Sequence, residues 1–276
     1  MAQIFGPSLL KKITSQEYEL QLKNLLKQSN LYDPLKPWSL LDGLSDTYNY
    51  LKKFYRCEYI YKNEIANQLL LKYHNDNSAT MLKEVNSHSC IADVIIINGS
   101  TVAYEIKTEL DNFERLPNQV ASFSKIYDQL NVVTHYKAIP SLEAFLPENV
   151  GIMYLDDKGI IKSYKPAESN VELFDPTVSS LTLRQSELMI AYNKYEGPMP
   201  RMGTALIHRY CINWYQKLDL TISRRIFAES LKARRPSDHQ FETMMQCPPS
   251  LRSLMLGVNF SKKNCNDIKE KILTLV

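Results

Sequence analysis

Apolar and polar positions change period several times along the chain, and each change predicts an element. Between Gln16 and Ser29, Tyr18, Leu22, Leu25 and Leu26 recur at helical spacing. A second helix is predicted from Leu40 to Tyr55, with Pro34, Pro37 and Trp38 in the loop between. A third runs from about Cys57 to His74 and ends at Asn75-Asp76-Asn77-Ser78. The pattern then becomes strand-like. Residues 80–86 predict a short strand, and 91–97 with 101–108 predict a hairpin about Asn98-Gly99. Pro117 suits the first turn of a helix reaching to about Leu130, with Val120, Phe123, Tyr127 and Leu130 as its core face. Strands follow at 132–136, 151–155 and 160–164. Beyond Pro166 and Asp175-Pro176 the pattern is helical again, at about 182–195, 204–218 and 223–233. The expected fold is α/β, a mixed central sheet flanked by helices. Its expected segments are a helical extension over 1–55, a core over 56–165 and a helical region over 180–276.

The hairpin carries the chemistry. Asp93 sits in one apolar strand, and Glu105-Ile106-Lys107 in the next. Three charges on apolar strands are costly to bury without a partner. Glu105 and Lys107 share a face, because side chains alternate along a strand. A two-residue turn would pair Asp93 with Tyr104 on the wrong side. A three-residue loop over 98–100 pairs Ile97 with Thr101, and therefore Asp93 with Glu105. The two carboxylates would then lie about 5 Å apart and could share Mg²⁺ or Mn²⁺, which prefer oxygen ligands. Lys107 beside them would orient a water and offset charge on a phosphate.

Further residues are candidates around that pair. Glu84 is a third acid within reach of the sheet edge. Glu64 lies with Ile60, Asn67 and Leu71 on one helical arc, so that face is expected to border a polar site. Gln119, near a helix start, is placed to contact a phosphate or a metal-bound water, with Tyr127 beneath it. Arg115, Lys125 and Lys137 are candidate contacts to nucleic-acid phosphates.

Charge sharpens the expected partner. The net charge is only +3, but residues 1–180 carry 18 Lys and Arg against 22 Asp and Glu, while 181–276 carry 15 against 8. Basic segments attract polyanions through counterion release. Arg224, Arg225, Arg234 and Arg235 cluster on and after one predicted helix, either as a DNA-contacting surface or as the solvated face of an ordinary amphipathic helix. Five dispersed cysteines without a Cys-x-x-Cys pair argue against zinc and against a disulfide framework. No apolar run of about 18 residues is present, and no secretory signal is visible, so a cytoplasmic protein without membrane contact is expected. The five histidines lack metal spacing, and no phosphate-binding glycine loop is found among eight glycines.

At Glu64, Glu84, Asp93, Glu105-x-Lys107 and Gln119 the sequence resembles the PD-(D/E)XK nuclease superfamily, over roughly residues 56–140. The stretch Tyr104 to Asp111, followed by Arg115-Leu116-Pro117-Asn118-Gln119 and Tyr127-Asp128, is similar to a small bacterial group in it. Gln119 and Tyr127 resemble its RecB-like branch, with Phe123 at the position where that branch has Tyr. The resemblance implies a restriction-endonuclease-like core and Mg²⁺-dependent hydrolysis of DNA, in defence, mobile-element biology or repair. It also implies Asp93, Glu105 and the Ile106 carbonyl as metal ligands, with Lys107 catalytic. The competing reading is a nucleic-acid-binding or protein-interaction module on the same fold without turnover.

Overall fold

Ser39 opens the second helix with a reciprocal cap. The Asp42 amide donates to its hydroxyl, and its own amide donates to the Asp42 carboxylate. The computed structural model describes residues 2–6, 9–12, 16–33, 35, 39–71, 79–256 and 259–273. Its N-terminal helices are α1 (Gln16–Gln28), α2 (Leu40–Phe54) and α3 (Glu58–Glu64). From Ile65 to Leu70 the last of these continues as a π-helix, a wider turn that re-aims the side chains after Glu64. The predicted loop at Pro34, Pro37 and Trp38 and the predicted helix end over 72–78 lie outside the described residues.

Six strands then form one sheet: β1 (Thr80–Ser87), β2 (Cys90–Asn98), β3 (Ser100–Ile106), β4 (Gln129–His135), β5 (Gly151–Leu155) and β6 (Ile161–Lys165). They lie in sequence order. The β1–β2, β2–β3 and β5–β6 pairs are antiparallel, whereas β3–β4 and β4–β5 are parallel. Between β3 and β4 runs α4 (Leu116–Phe123), and between β4 and β5 the short α5 (Ile139–Glu143). The mixed sheet with flanking helices is as expected.

Helix α4 stops well short of Leu130. Val120, Phe123, Tyr127 and Leu130 are all buried, yet Gln129 and Leu130 already pair with Val102 and Ala103. A central strand buried on both faces loses its polar alternation and mimics one face of a helix.

After β6 come α6 (Pro176–Ser180), α7 (Gln185–Tyr195), α8 (Thr204–Tyr215), α9 (Leu220–Lys232), α10 (Asp238–Gln246), α11 (Arg252–Leu256) and α12 (Lys262–Leu273). Asp175, Asp219 and Ser237 cap α6, α9 and α10 through their side-chain oxygens. These helices divide between the two faces of the sheet. Phe174, Leu188, Tyr215 and Phe227 join α4 on the face of Ile95, Ile97 and Ala103. Met244, Leu251, Met255 and Ile268 join α1, α2 and α3 on the face of Val94, Ile96 and Ile106. The result is three layers with the sheet in the middle. Among the described residues, no helix is long and apolar enough to cross a membrane.

Glu64 belongs to the second of these faces. It accepts from the Tyr48 hydroxyl at 2.6 Å and from Gln68 Nε2 at 2.5 Å, and pairs with Lys52 at 2.8 Å. Gln68 also donates to the Gly159 carbonyl and accepts from the Ile161 amide, which fastens the end of α3 to the β5–β6 turn. Gly159 has φ +73, and a Cβ there would meet Lys52 Cε at 1.8 Å. Replacing Glu64→Gln is expected to cost roughly 1–2 kcal/mol, read by urea unfolding, while divalent-cation affinity stays unchanged.

Candidate active site

The β2–β3 turn sets the register. Gly99, at φ +76, stands alone between the paired residues Asn98 and Ser100, and Ile97 faces Thr101. A positive φ there suits glycine. The register is the Ile97–Thr101 one expected of the longer loop; pairing runs as far as Val94 opposite Tyr104, and Asp93 and Glu105 are the next residues on the two strands. Asp93 Oδ2 accepts from the Ile106 amide at 2.8 Å. Lys107 Nζ donates to Glu105 Oε1 at 2.7 Å and to Gln119 Oε1 at 3.0 Å. Thr134 donates to the Lys107 carbonyl at 2.8 Å, and the Lys107 amide to that of Val133, so β4 holds the backbone that presents Lys107.

These side chains open into a cavity of about 870 Å³. Asp93, Glu105, Ile106 and Lys107 form its sheet wall. Arg115, Asn118, Gln119 and Lys125 line it from α4 and its ends, His88 to Cys90 from the β1–β2 turn, and Glu58 from the start of α3. Asp111 lines it as well, and its carboxylate accepts from the Thr108 amide and hydroxyl at 2.7 Å each. That clamp shapes the loop leaving β3.

Burial dominates the electrostatics. Glu105 is 2% exposed, and its Oε2 is buried without a hydrogen-bond partner among the described residues. Desolvation, with the charge of Asp93 added, pushes its carboxyl up to about 7 against the pull of Lys107. Desolvation likewise pushes Asp93 up to about 6, opposed by the hydrogen bond from Ile106. Two carboxyls held reluctant to ionise side by side are a receptor for positive charge. Among the described residues, no group of three or more His, Cys, Asp or Glu side chains comes together as a metal centre. The acidic part of the site is thus a pair. A pair fits Mg²⁺, which takes one or two carboxylates and fills its remaining positions with water and substrate phosphate.

Several expected site residues lie elsewhere. Glu84 takes a left-handed conformation, φ +53, in the middle of β1. It turns outward to Lys62 at 2.9 Å, and that ammonium holds its carboxyl below the usual range. Lys62 also pairs with Glu58. Burial opposes the Lys62 charge, but Glu58, Glu84 and Asp93 together hold its pKa above the usual value. Glu64 sits on the other face of the sheet, as above. Tyr127 is 1% exposed and its hydroxyl bonds Ser87, so it is a core residue. Lys137 is exposed but outside the cavity. Arg224 grips Asp128 with Nε at 3.1 Å and Nη2 at 2.6 Å. Arg234 is bidentate to Glu187 at 2.7 Å for both bonds, and Arg235 pairs with Asp238 at 2.8 Å. Arg224 and Arg234 tie separate elements together, while Arg235 makes only an exposed local pair; Arg225 is exposed beside a smaller pocket with Lys232. Arg115 and Lys125 do line the cavity.

Glu58 and Asp111 carry no sequence signal that marks them as site residues, whereas His88 and Cys90, two apart beside the hairpin, do line the cavity as their position suggests. Glu58 looks like an ordinary first-turn acid. The φ of +59 at His88 shows the tight turn that brings it to the cavity.

Comparison with known proteins places the chain. A protein family described as Bacteriophage P4 protein cII has a model that matches residues 52–253. A curated relative, Protein cII of Enterobacteria phage P4, is 26% identical over 163 residues. That alignment covers 57% of this chain and 60% of the relative, so the chain spans about three-fifths of the relative's length. No solved structure matches. The family match overturns the resemblance to the PD-(D/E)XK superfamily, which rested on residues 56–140 alone. One acid followed by Glu-x-Lys on a hairpin is a short pattern that any polar site at strand ends can produce. With residues 52–253 matched out of 276, the chain belongs to the family of bacteriophage P4 protein cII.

Proposed function

We propose that this protein hydrolyses phosphodiester bonds of DNA with Mg²⁺ or Mn²⁺ held by Asp93 and Glu105. The reading rests on the site and not on kinship with a nuclease superfamily. The observation that carries it is the unpartnered Glu105 Oε2, buried beside Asp93 in the wall of a polar cavity. A cation there would relieve the desolvation of both carboxylates. When bound, it would supply Lewis acidity for the phosphate and lower the pKa of an attacking water.

The chain's own residues do the rest. Lys107, held between Glu105 and Gln119, presents a preorganised ammonium to charge developing on the phosphate. Gln119 accepts from Lys107 and so fixes the direction of its ammonium beside Glu105. Arg115 and Lys125 line the cavity as cations for the neighbouring phosphates of a bound strand. Ile106 donates its amide to Asp93 and orients that carboxylate.

Supercoiled and linear DNA incubated with Mg²⁺ or Mn²⁺ test this reading. The wild type is expected to cleave, and Asp93→Asn and Lys107→Met are expected to lose cleavage. Gln119→Ala is expected to lower the rate by roughly tenfold to a hundredfold, the lower range for a positioned polar group, with divalent-cation affinity unchanged. No cleavage by the wild type with either cation, or equal cleavage by all variants, overturns the proposal. One observation favours a second reading, a nucleic-acid-binding module without turnover: Lys107 already neutralises Glu105 in a buried ion pair. Binding without cleavage, unchanged in Asp93→Asn, would establish it. RNA in the same assay decides whether the substrate is restricted to DNA.

A further inference from the structure

The β1 edge of the sheet carries a second groove. Five consecutive β1 residues, Leu82 to Asn86, line a cavity of about 690 Å³ together with the segment 181–184, Glu187 and Arg234. Strand β1 is an edge strand, bonded within the sheet to β2 alone among the described residues. The carboxylates in this groove are already matched, Glu84 by Lys62 and Glu187 by Arg234. Two cations are left over. Among the described residues, neither Lys83 nor the Arg184 side chain is in an ion pair.

We propose that this groove binds the phosphodiester backbone of a nucleic-acid strand through Lys83 and Arg184. The chemistry of the ligand rests on the proposed function; the site does not. Lys83 is half buried, and desolvation together with the charge of Lys62 pushes its pKa down to about 8. An ammonium kept in that setting with no carboxylate paired to it is matched by an anion from outside. The position fits as well. Strand β1 ends at Ser87, and His88 directly after it lines the catalytic cavity. Lys83 therefore stands roughly 15 Å from His88 along the strand, within a few nucleotides of the cavity.

An extended peptide added to the sheet edge is the competing occupant, and Glu84 disfavours it. Strand addition needs a continuous run of extended backbone. At φ +53, Glu84 interrupts that run between Lys83 and Val85, as a bulge protects an edge from pairing. Phosphates need only point charges and tolerate the interruption.

The test is fluorescence anisotropy of a labelled oligothymidylate across a salt series in EDTA, so that cleavage plays no part. Lys83→Gln/Arg184→Gln is expected to weaken binding about tenfold and to lower the slope of log affinity against log salt by about 1.4, near 0.7 per phosphate contact on a single strand. Arg184→Gln alone, at an exposed position, is expected to lower it by about 0.7, which guards against a folding defect in the double variant. Lys83→Arg should retain the wild-type slope. Unchanged affinity and slope in the double variant overturn the proposal. So does binding of a polyglutamate peptide that depends on the same two residues while the oligonucleotide does not bind. A changed slope in a protein that never cleaves DNA sinks the hydrolase and leaves the groove standing. Cleavage with an unchanged slope does the reverse.

Discussion

Glu105→Gln is expected to abolish divalent-dependent cleavage and at the same time to make the metal-free protein more stable. The activity loss should reach about 10²- to 10³-fold, the scale of removing one preorganised electrostatic group. The stability gain follows from the direction of the pKa shift. Glu105 is an acid whose carboxyl rises from 4.5 to about 7 on folding because it is buried next to Asp93. The folded state therefore holds a proton that the unfolded state has released. Stability from this group is present below pH 4.5 and is lost as pH rises toward 7. Asp93 behaves alike between 3.8 and about 6. At pH 8 the neutral amide removes a cost on the order of 2 kcal/mol, read as a rise in Tm of several degrees. Mn²⁺ should raise the Tm of the wild type at pH 8 and leave that of Glu105→Gln unmoved. A variant melting below the wild type at pH 8 would mean that the Lys107 pair outweighs the desolvation, and the metal-receptor reading would lose its footing.

Asp128→Ala is expected to be the most destabilising single change in the polar structure. The Asp128 carboxylate accepts from the Thr101 amide at 2.8 Å, the Thr101 hydroxyl at 3.1 Å and the Arg224 guanidinium. It joins the tip of the β2–β3 hairpin, the end of the segment after α4, and α9. Truncation leaves a guanidinium and an amide without an acceptor in a half-buried place. The expected cost is roughly 3–5 kcal/mol, as when one partner of a buried ion pair is removed. Urea unfolding of Asp128→Ala and of Asp128→Ala/Arg224→Leu would read it. The double variant should recover part of the loss, since it removes the orphaned charge. A loss under 1 kcal/mol in the single variant would show that water serves these donors equally well.

Asp128 also shows where local reading stops. The helical spacing of Val120, Phe123, Tyr127 and Leu130 is real, and all four are buried. Yet the chain leaves the helix after Phe123 because Asp128 bonds the hairpin and Gln129 enters the sheet. Tertiary hydrogen bonds overrode a sound local pattern. Arg224 and Arg234 were misjudged for the same reason. A basic residue on an amphipathic helix looks available for phosphate until its partner, 96 residues away for Arg224 and 47 for Arg234, is known. Glu64 and Glu58 differ by under two helical turns, and helical periodicity favoured the wrong one. Only the packing of α3 against the sheet shows that Glu58 reaches the cavity and Glu64 the opposite layer.

From the sequence alone came the strands, most of the helices, and a hairpin whose second strand sets Glu105 and Lys107 on one face. Those are short-range matters, decided by side-chain period, a glycine at a positive φ, and caps. The sequence left open which of two turn lengths forms, and with it the register that brings Asp93 beside Glu105. The tertiary structure decided that, and also which acids and arginines are already neutralised. Charge availability depends on partners far along the chain, so it exists only once the three layers have closed.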